Sequence, residues 1–283
     1  MFVEVEVPGA RVAVHHVVHG PQDPGTPTAV LLHGIGVDHR LMAGAYEPVF
    51  AARRTPWRRV YLDLPGMGGT AAPDGVQGSD DVLAVVRAAV AALVPHAPYA
   101  VLGQSYGGYL ARGLVAADQD RVTGLALTVP IGVEVEAAAR TLPAREVLVR
   151  SPELLAEVGA TRLDADPFGV VQTLETWRRT AAEVEPGVEA GDVPAMTRIV
   201  ERYVGTFPLE GDVPAFDRPT LVVVGRQDST TGYRDQWPLL EHYPSATFAV
   251  LDRGGHHVHL EQPALFTALT HEWLDRVEEA ASA

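Results

Sequence analysis

The sequence predicts an α/β fold: a mostly parallel, eight-stranded sheet with helices on both faces. Short apolar runs alternate with segments of helical periodicity along most of the chain, which is typical of parallel strands joined by helices. This alternation stops near position 130 and resumes near position 219. The interruption is therefore predicted to be an insertion into a single sheet. A length of 283 residues suits one large domain with such an insertion.

The strands are predicted from alternating or continuous apolar runs bounded by glycine, proline and polar residues. There are eight of them: Phe2–Val7, Arg11–Val18, Thr28–Leu32, Arg59–Leu62, Tyr99–Leu102, Val122–Val129, Thr220–Val224 and Thr247–Leu251. The first two are expected to form a β-hairpin. The helices predicted between and after the strands are Met42–Ala52, Asp80–Leu93, Tyr106–Ala117, Tyr233–Glu241 and Leu260–Glu279.

The insertion carries helical pieces interrupted by prolines, among them Pro152, Pro167, Pro186, Pro194, Pro208 and Pro214, and proline breaks helices. We expect a helical cap at 130–218 over a core formed by 1–129 and 219–283. The cap has scattered candidates for the substrate pocket, for each of which helix packing is the favoured role: Phe168, Trp177, Arg178, Tyr203 and Phe207. Trp177 and Phe207 are the two predicted to line the pocket.

The composition excludes several kinds of chemistry. The chain has no cysteine, lysine or asparagine. Disulfides and thiolate nucleophiles are therefore excluded, and so are Schiff bases and Ser–Lys dyads. A formal net charge of −14 argues against nucleic acid or an anionic membrane as a partner. A small-molecule substrate is the expected partner, and the sequence does not set the oligomeric state.

The beginning of the chain lacks the pattern of a secretory signal. Residues 1–20 alternate apolar and polar side chains, without a basic start followed by an apolar core. No run of about 18 apolar residues follows, so no membrane helix is expected. These features predict a cytoplasmic protein.

A candidate nucleophile lies between a predicted strand and a predicted helix. Gly103-Gln104-Ser105-Tyr106-Gly107 fits the pattern G-x-S-x-G in the context that this motif requires. A serine on such a turn has a strained backbone, and a Cβ on either glycine would crowd the turn. The alternative is a glycine-rich turn with an incidental serine.

A second glycine-rich loop follows the buried strand Thr28–Leu32. It contains His33-Gly34-Ile35-Gly36. The backbone N–H of Ile35 would lie opposite that of Tyr106, and the two would form an oxyanion hole, in which one donor can contribute about 3–4 kcal/mol to transition-state stabilisation. We expect His33 itself only to brace the loop.

Two further candidates follow later strands. Asp228 lies in Gly225-Arg226-Gln227-Asp228, and His256 comes after the strand Thr247–Leu251. Asp63 and Asp252 also follow strands and compete with Asp228 for the role of the acid. His256 and His259 would share a face, as metal ligands do, only if this segment were helical, and no metal site is expected. The carboxyl ends of parallel strands meet at one edge of a sheet, so Ser105, Asp228 and His256 can converge.

These motifs together resemble the α/β-hydrolase superfamily of esterases, lactonases, C–C bond hydrolases and prolyl iminopeptidases. The resemblance covers nearly the whole chain, through LLHGIG at 31–36, DLPGMGGT at 63–70, GQSYGG at 103–108, GRQDST at 225–230 and GGHHVHLEQP at 254–263. It implies Ser105 as nucleophile, His256 as base and Asp228 as orienting acid, with oxyanion N–H groups at Ile35 and Tyr106.

Two positions depart from the family pattern. Met67 stands where relatives often have histidine, and His257 adjoins the expected base, which leaves the choice of histidine open between neighbours. The serine at 105 is unlike the aspartate of haloalkane dehalogenases and epoxide hydrolases. No G-x-G-x-x-G follows a strand, so no dinucleotide cofactor is expected.

The predicted activity is hydrolysis of a small or medium-sized carboxylic ester, lactone or amide through an acyl-serine, without a cofactor. A lyase of the hydroxynitrile-lyase kind and a carrier-protein thioesterase would use the same three residues. A ligand receptor on the same fold, with little turnover, is the alternative outside catalysis, since fold does not fix function.

Overall fold

The computed structural model describes residues 1–282, which form ten strands and ten α-helices. The strands are β1 (Phe2–Val7), β2 (Ala10–His19), β3 (Thr28–Leu32), β4 (Arg58–Leu62), β5 (Tyr99–Gln104), β6 (Val122–Thr128), β7 (Val149–Arg150), β8 (Val171–Gln172), β9 (Thr220–Gly225) and β10 (Ala246–Leu251). The helices are α1 (His39–Ala51), α2 (Ser79–Leu93), α3 (Tyr106–Asp118), α4 (Pro152–Val158), α5 (Ala160–Asp164), α6 (Leu174–Glu183), α7 (Glu185–Glu189), α8 (Val193–Glu201), α9 (Val258–Glu261) and α10 (Pro263–Ser282).

Eight of the strands form one sheet in the order β1-β2-β4-β3-β5-β6-β9-β10. β1 pairs antiparallel with β2, and β2 pairs antiparallel with β4. Every other neighbour in the sheet is parallel. The predicted fold class is therefore confirmed. The predicted hairpin is also confirmed, and Gly9 makes its turn with a φ of +80°, a conformation that glycine adopts without strain.

The centre of the sheet is buried on both faces, which explains its continuous apolar runs. All five residues of β3 are buried. Side chains alternate along a strand, so Val30 and Leu32 pack into the core on one face while Ala29 and Leu31 pack into the core on the other. Because these central strands are parallel, their carboxyl ends lie together at one edge of the sheet.

Two predicted helices differ from the structure for the same reason. The segment Arg234–Glu241 is a 3-10 helix that contains Pro238, not an α-helix. The predicted final helix is divided into α9 and α10 at Pro263. Proline lacks an N–H and disfavours helical geometry in the residue before it. Hydrophobic periodicity alone does not predict where proline interrupts a helix.

The inserted segment lies between β6 and β9. It contains α4 to α8, as its helical pattern predicts, and also the short parallel pair β7 and β8, which the sequence did not reveal. Arg198 ties α8 to the body of the protein by donating to the carbonyls of Ala72 and Val76. The ring of Tyr203 stacks on Tyr106 of α3 at 5.0 Å between centroids. The segment therefore packs over the edge of the sheet where the strands end.

Within residues 1–282, none of the helices has both the length and the apolar character needed to span a lipid bilayer.

Candidate active site

Ser105 occupies a strained turn between β5 and α3. Its φ of 52° and ψ of −116° are a conformation that non-glycine residues rarely adopt. The turn is tight because Gly103 and Gly107 face each other, and a Cβ on Gly103 would come within 2.4 Å of the Gly107 carbonyl oxygen. A Cβ on Gly107 would lie 2.2 Å from the carbonyl oxygen of Leu32. The glycines thus let α3 begin directly against the end of β3.

Ser105, His256 and Asp228 form a continuous hydrogen-bonded series. The Ser105 Oγ lies 3.0 Å from His256 Nε2, and His256 Nδ1 lies 3.0 Å from Asp228 Oδ2. Asp228 is fully buried, whereas Ser105 and His256 are 5% and 8% exposed. An ionised carboxylate only accepts hydrogen bonds, so Nδ1 carries the proton and Nε2 is left to accept from the serine hydroxyl. This arrangement can take up the proton of a hydroxyl nucleophile.

The Asp228 carboxylate is held by four hydrogen bonds. Besides His256, it accepts from the backbone N–H groups of Thr230 and Thr231 at 2.8 and 3.1 Å, and from the Thr231 hydroxyl at 2.7 Å. Burial acts to raise the pKa of Asp228, but His256 and the Thr231 and Thr230 donors outweigh it and hold this pKa below its ordinary value. The carboxylate therefore remains charged beside the imidazole.

The two competing acids lie elsewhere. Asp63 is engaged by His15 and His39, and the exposed Asp252 forms no hydrogen bond with His256. The other two histidines of this segment differ from His256 in their surroundings. His257 and His259 are buried, and burial lowers the pKa of His257 to about 4. His256 precedes α9 while His259 lies within it, so the two do not share one helical face.

The two residues expected to supply the oxyanion N–H groups lie in segments next to Ser105. Tyr106 is the first residue of α3, and the first N–H groups of a helix have no partner within it. Ile35 lies in the loop after β3, next to Gly34, where a Cβ would come 3.1 Å from the Ser105 Cβ. His33 is fully buried and braces this loop. Its Nε2 accepts from the Leu64 N–H at 2.9 Å, and its Nδ1 donates to the Gly34 carbonyl at 2.7 Å.

Met67 supports the same loop, a role that its sequence position did not reveal. The side chain is fully buried, and its Sδ accepts a hydrogen bond from the N–H of Gly36 at 3.3 Å. Thioether sulfur is a weak acceptor. The residue that departs from the family pattern therefore contacts the loop that carries Ile35.

A second histidine–aspartate cluster, which sequence reasoning missed, lies beside this loop. Asp63 accepts from the Nδ1 atoms of His15 and His39 at 2.8 and 2.9 Å, and from the backbone N–H groups of His39 and Gly69. Its three side chains have the types and spacing of metal ligands, with ligand atoms within 4.8 Å of one another. Four hydrogen bonds already satisfy the carboxylate. Burial acts to raise the pKa of Asp63, but the His39 hydrogen bond and the charge interaction with His33 hold this pKa below its ordinary value.

A cavity of about 780 Å³ opens onto Ser105 and His256, a volume typical of small-molecule sites. Its walls come from both the sheet edge and the inserted segment. The residues contributed by the inserted segment include Ala138, Arg140, Phe168, Val184, Val188, Val200 and Tyr203. Most of these are apolar, so the cavity suits a substrate with a substantial apolar part.

The structure does not bring Trp177 and Phe207 to this cavity. Trp177 lies under Arg162, whose Cζ is 5.0 Å from the ring centroid, and it borders a separate small cavity. Phe207 packs on Tyr109 and against Gly113. Helical periodicity shows that a residue is apolar, but the turns between the short helices decide which way it faces. Phe168 instead lines the cavity, where Trp177 and Phe207 were expected.

Glu261 links the inserted segment to the histidine loop. Its buried carboxylate accepts from the N–H groups of Val170 and Val171 with Oε1, and from the Gly255 N–H with Oε2. Burial raises the pKa of Glu261 to about 7 despite these three donors. Gly255 immediately precedes His256, so one carboxylate fixes both the imidazole loop and the chain beside Phe168. The sequence shows this residue as the glutamate of GGHHVHLEQP, but it does not indicate what the carboxylate contacts.

Comparison with known proteins identifies relatives of this fold. The model of the alpha/beta hydrolase family matches residues 29–269. An alpha/beta superfamily hydrolase from Oenococcus oeni PSU-1 superposes with a TM-score of 0.82 at 23% identity, over 94% of this chain and 96% of that one. At this identity the superposition shows a shared fold.

Two curated relatives match to different extents. The 2-succinyl-6-hydroxy-2,4-cyclohexadiene-1-carboxylate synthase of Salmonella newport is 42% identical over 73 residues, which are 26% of this chain and only 27% of that protein's length. A protein described as a carbamate hydrolase, RutD, of Agrobacterium fabrum is 24% identical over 260 residues, 89% of this chain and 95% of its own length.

Proposed function

We propose that this chain, which belongs to the alpha/beta hydrolase family, is a serine hydrolase that cleaves a small or medium-sized carboxylic ester, lactone or amide. The observation that carries the proposal is the series from Ser105 Oγ through His256 to Asp228, with both joining distances at 3.0 Å. The relative described as a carbamate hydrolase is consistent with the proposal, since a carbamate is also an acyl compound.

The first half of the proposed reaction forms an acyl-serine. His256 Nε2 takes the hydroxyl proton while Ser105 Oγ forms a bond to the substrate carbonyl carbon. The negative charge that develops on the carbonyl oxygen is stabilised by the N–H groups of Ile35 and Tyr106. As the bond to the leaving oxygen or nitrogen breaks, His256 returns the proton to that atom.

The second half of the reaction repeats these steps with water. His256 takes a proton from the water, whose oxygen bonds to the acyl carbon, and the proton then returns to Ser105 Oγ as the acyl bond breaks. The products are a carboxylic acid and an alcohol or amine. Asp228 holds the imidazole tautomer and stabilises its charged form throughout.

The inserted segment has a proposed role in the same reaction. We propose that 130–218 is a helical cap over a core of 1–129 and 219–283, because the cavity that opens onto Ser105 has walls from both parts. A cap excludes water from the reacting groups, which strengthens the electrostatic interactions inside.

The test is covalent labelling of the nucleophile. A fluorophosphonate should add to the wild-type protein and give the expected mass increase, while Ser105→Ala should remain unlabelled. Hydrolysis of 4-nitrophenyl esters should fall by up to about 10⁶-fold in the same variant, as in other working triads. Equal labelling or equal turnover in the two proteins would contradict the proposal, and binding without turnover in the wild type would favour a receptor.

A further inference from the structure

Arg140 brings a positive charge to the wall of the cavity. Its guanidinium donates to the backbone carbonyls of Glu134, Val135 and Thr230 at 3.3, 2.5 and 3.1 Å. These bonds fix the side chain at the start of the inserted segment, against the turn that carries Asp228. Arginine has five N–H donors, so two are not used by these carbonyls, and the Tyr203 hydroxyl is within reach of the same guanidinium.

Arg140 has no acidic partner among residues 1–282, because no carboxylate oxygen lies within 4.0 Å of its nitrogens. The buried Arg112, in contrast, is paired with Glu210. Arg58 and Arg198 also bind carbonyls without an acid, but neither lines the cavity. The guanidinium of Arg140 is partly buried and has no carboxylate partner. Such a charge is stabilised when an anion binds beside it.

A second donor lies next to this charge. The Cζ atom of Arg140 is 5.9 Å from the centroid of the Tyr203 ring, and Tyr203 also lines the cavity. Burial raises the pKa of the Tyr203 hydroxyl even though Arg140 acts to lower it, so the hydroxyl stays protonated and able to donate. The other charged residues that line the cavity, Glu136, Glu201 and Arg202, are exposed to solvent.

We infer that Arg140 and Tyr203 form an anion subsite, and that the substrate carries a carboxylate in addition to the bond that is cleaved. This inference rests on the proposed function, since it names the substrate class of the same cavity. The apolar walls would hold the carbon skeleton, and the carboxylate would orient the scissile carbonyl toward Ser105. The chain has a formal net charge of −14. The guanidinium of Arg140 places a positive charge in the wall of the cavity, where it attracts an anionic substrate.

The experiment compares matched ester pairs that differ in one charge. The mono-4-nitrophenyl ester of glutaric acid is set against 4-nitrophenyl butyrate, which places the carboxylate on the acyl side. The second pair, 4-acetoxybenzoate and its methyl ester, places it on the leaving group. We expect wild-type kcat/KM to favour the anionic member of at least one pair by about tenfold or more, as one charge-assisted interaction allows.

The variants distinguish recognition from packing. Arg140→Gln should abolish that preference by lowering kcat/KM for the anionic member of the pair more than for the neutral member, and Tyr203→Phe should reduce the preference. Arg140→Lys should retain part of it, since the charge remains but the fork of donors is lost. Arg87→Gln is the matched control, because Arg87 is an exposed arginine of α2 away from the cavity. A preference that survives Arg140→Gln, or equal losses on both members of a pair, would overturn the inference.

A binding measurement separates this inference from the proposed reaction. In Ser105→Ala, glutarate and 4-acetoxybenzoate should raise the thermal midpoint, and the shift should disappear in the double variant with Arg140→Gln. If the wild type hydrolyses none of the esters, the proposed function fails while these shifts still test the subsite. If it hydrolyses neutral esters but neither anion binds, the subsite alone fails.

Discussion

The ring of Phe168 lies against the ring of His256, with centroids 5.8 Å apart and planes inclined by 34°. Phe168 belongs to the inserted segment, whereas His256 belongs to the sheet edge. The same phenyl ring lies 5.1 Å from His257 and borders the cavity. It therefore covers the imidazole and shapes the space beside it.

The first prediction concerns this contact. Phe168→Leu should change the acyl-chain preference and lower kcat/KM, while the thermal midpoint changes by a few degrees at most. Phe207→Leu serves as the matched control, because Phe207 packs on Tyr109 outside the cavity. It should lower the midpoint and leave the preference unchanged. A kcat/KM series across ester lengths, with a melting curve for each variant, is the measurement. A changed profile in Phe207→Leu but not in Phe168→Leu would reverse our assignment.

The second prediction concerns the acid. Asp228→Asn should lower kcat by about 10⁴, because the amide can donate to Nδ1 and favour the wrong imidazole tautomer. Asp252→Asn, at an exposed position, should stay within about twofold of wild type, as surface changes usually do. Steady-state kinetics of both variants decide the point, and a fully active Asp228→Asn protein would remove Asp228 from the mechanism.

The third prediction concerns stability against pH. Burial raises the pKa of Glu261 to about 7 from an ordinary value of 4.5. Between these pH values the folded protein holds a proton that the unfolded chain has released, so this group's contribution to stability falls as pH rises through that window. Asp166 and His257 are the neighbouring titratable groups around its small cavity.

Glu261→Gln removes this titration. The free energy of unfolding of wild type minus that of the variant should therefore be larger at pH 5 than at pH 8, as measured by urea unfolding at several pH values. Glu189→Gln, at an exposed position of α7, is the control for the loss of one negative charge. A difference for Glu261→Gln that does not change with pH would show that the pKa of Glu261 is not raised.

The fourth prediction concerns the loop that carries Ile35. Met67→Leu conserves volume in a buried site, so it should cost less than about 1.5 kcal/mol of stability. It removes the sulfur that accepts from the Gly36 N–H, which should loosen the loop and lower kcat several-fold with KM nearly unchanged, because an oxyanion contact acts mainly in the transition state. Met42→Leu, at a buried position within α1, is the control. Equal kcat values in the two variants would mean that the sulfur contact does not support the loop.

The sequence by itself predicted the mostly parallel sheet, its hairpin and the position of each of the eight strands of that sheet within about two residues. It also determined which residues follow the strand ends. These features follow from side-chain periodicity and from glycine and proline at turns, which are local properties. Because parallel strands end at one edge, the sequence order Ser105, Asp228, His256 was enough to predict that the three side chains would converge.

Only the tertiary structure decided which residues of the inserted segment face that edge. The orientation of a short helix depends on its connecting turns and on long-range contacts, so Trp177 and Phe207 could not be distinguished from Phe168 by their pattern. The roles of Met67, Glu261 and Asp63 were undetermined for the same reason. Each acts through hydrogen bonds between positions such as 36 and 67 or 170 and 261, and these partners are distant in the chain and become neighbours only when the sheet and the inserted segment pack together.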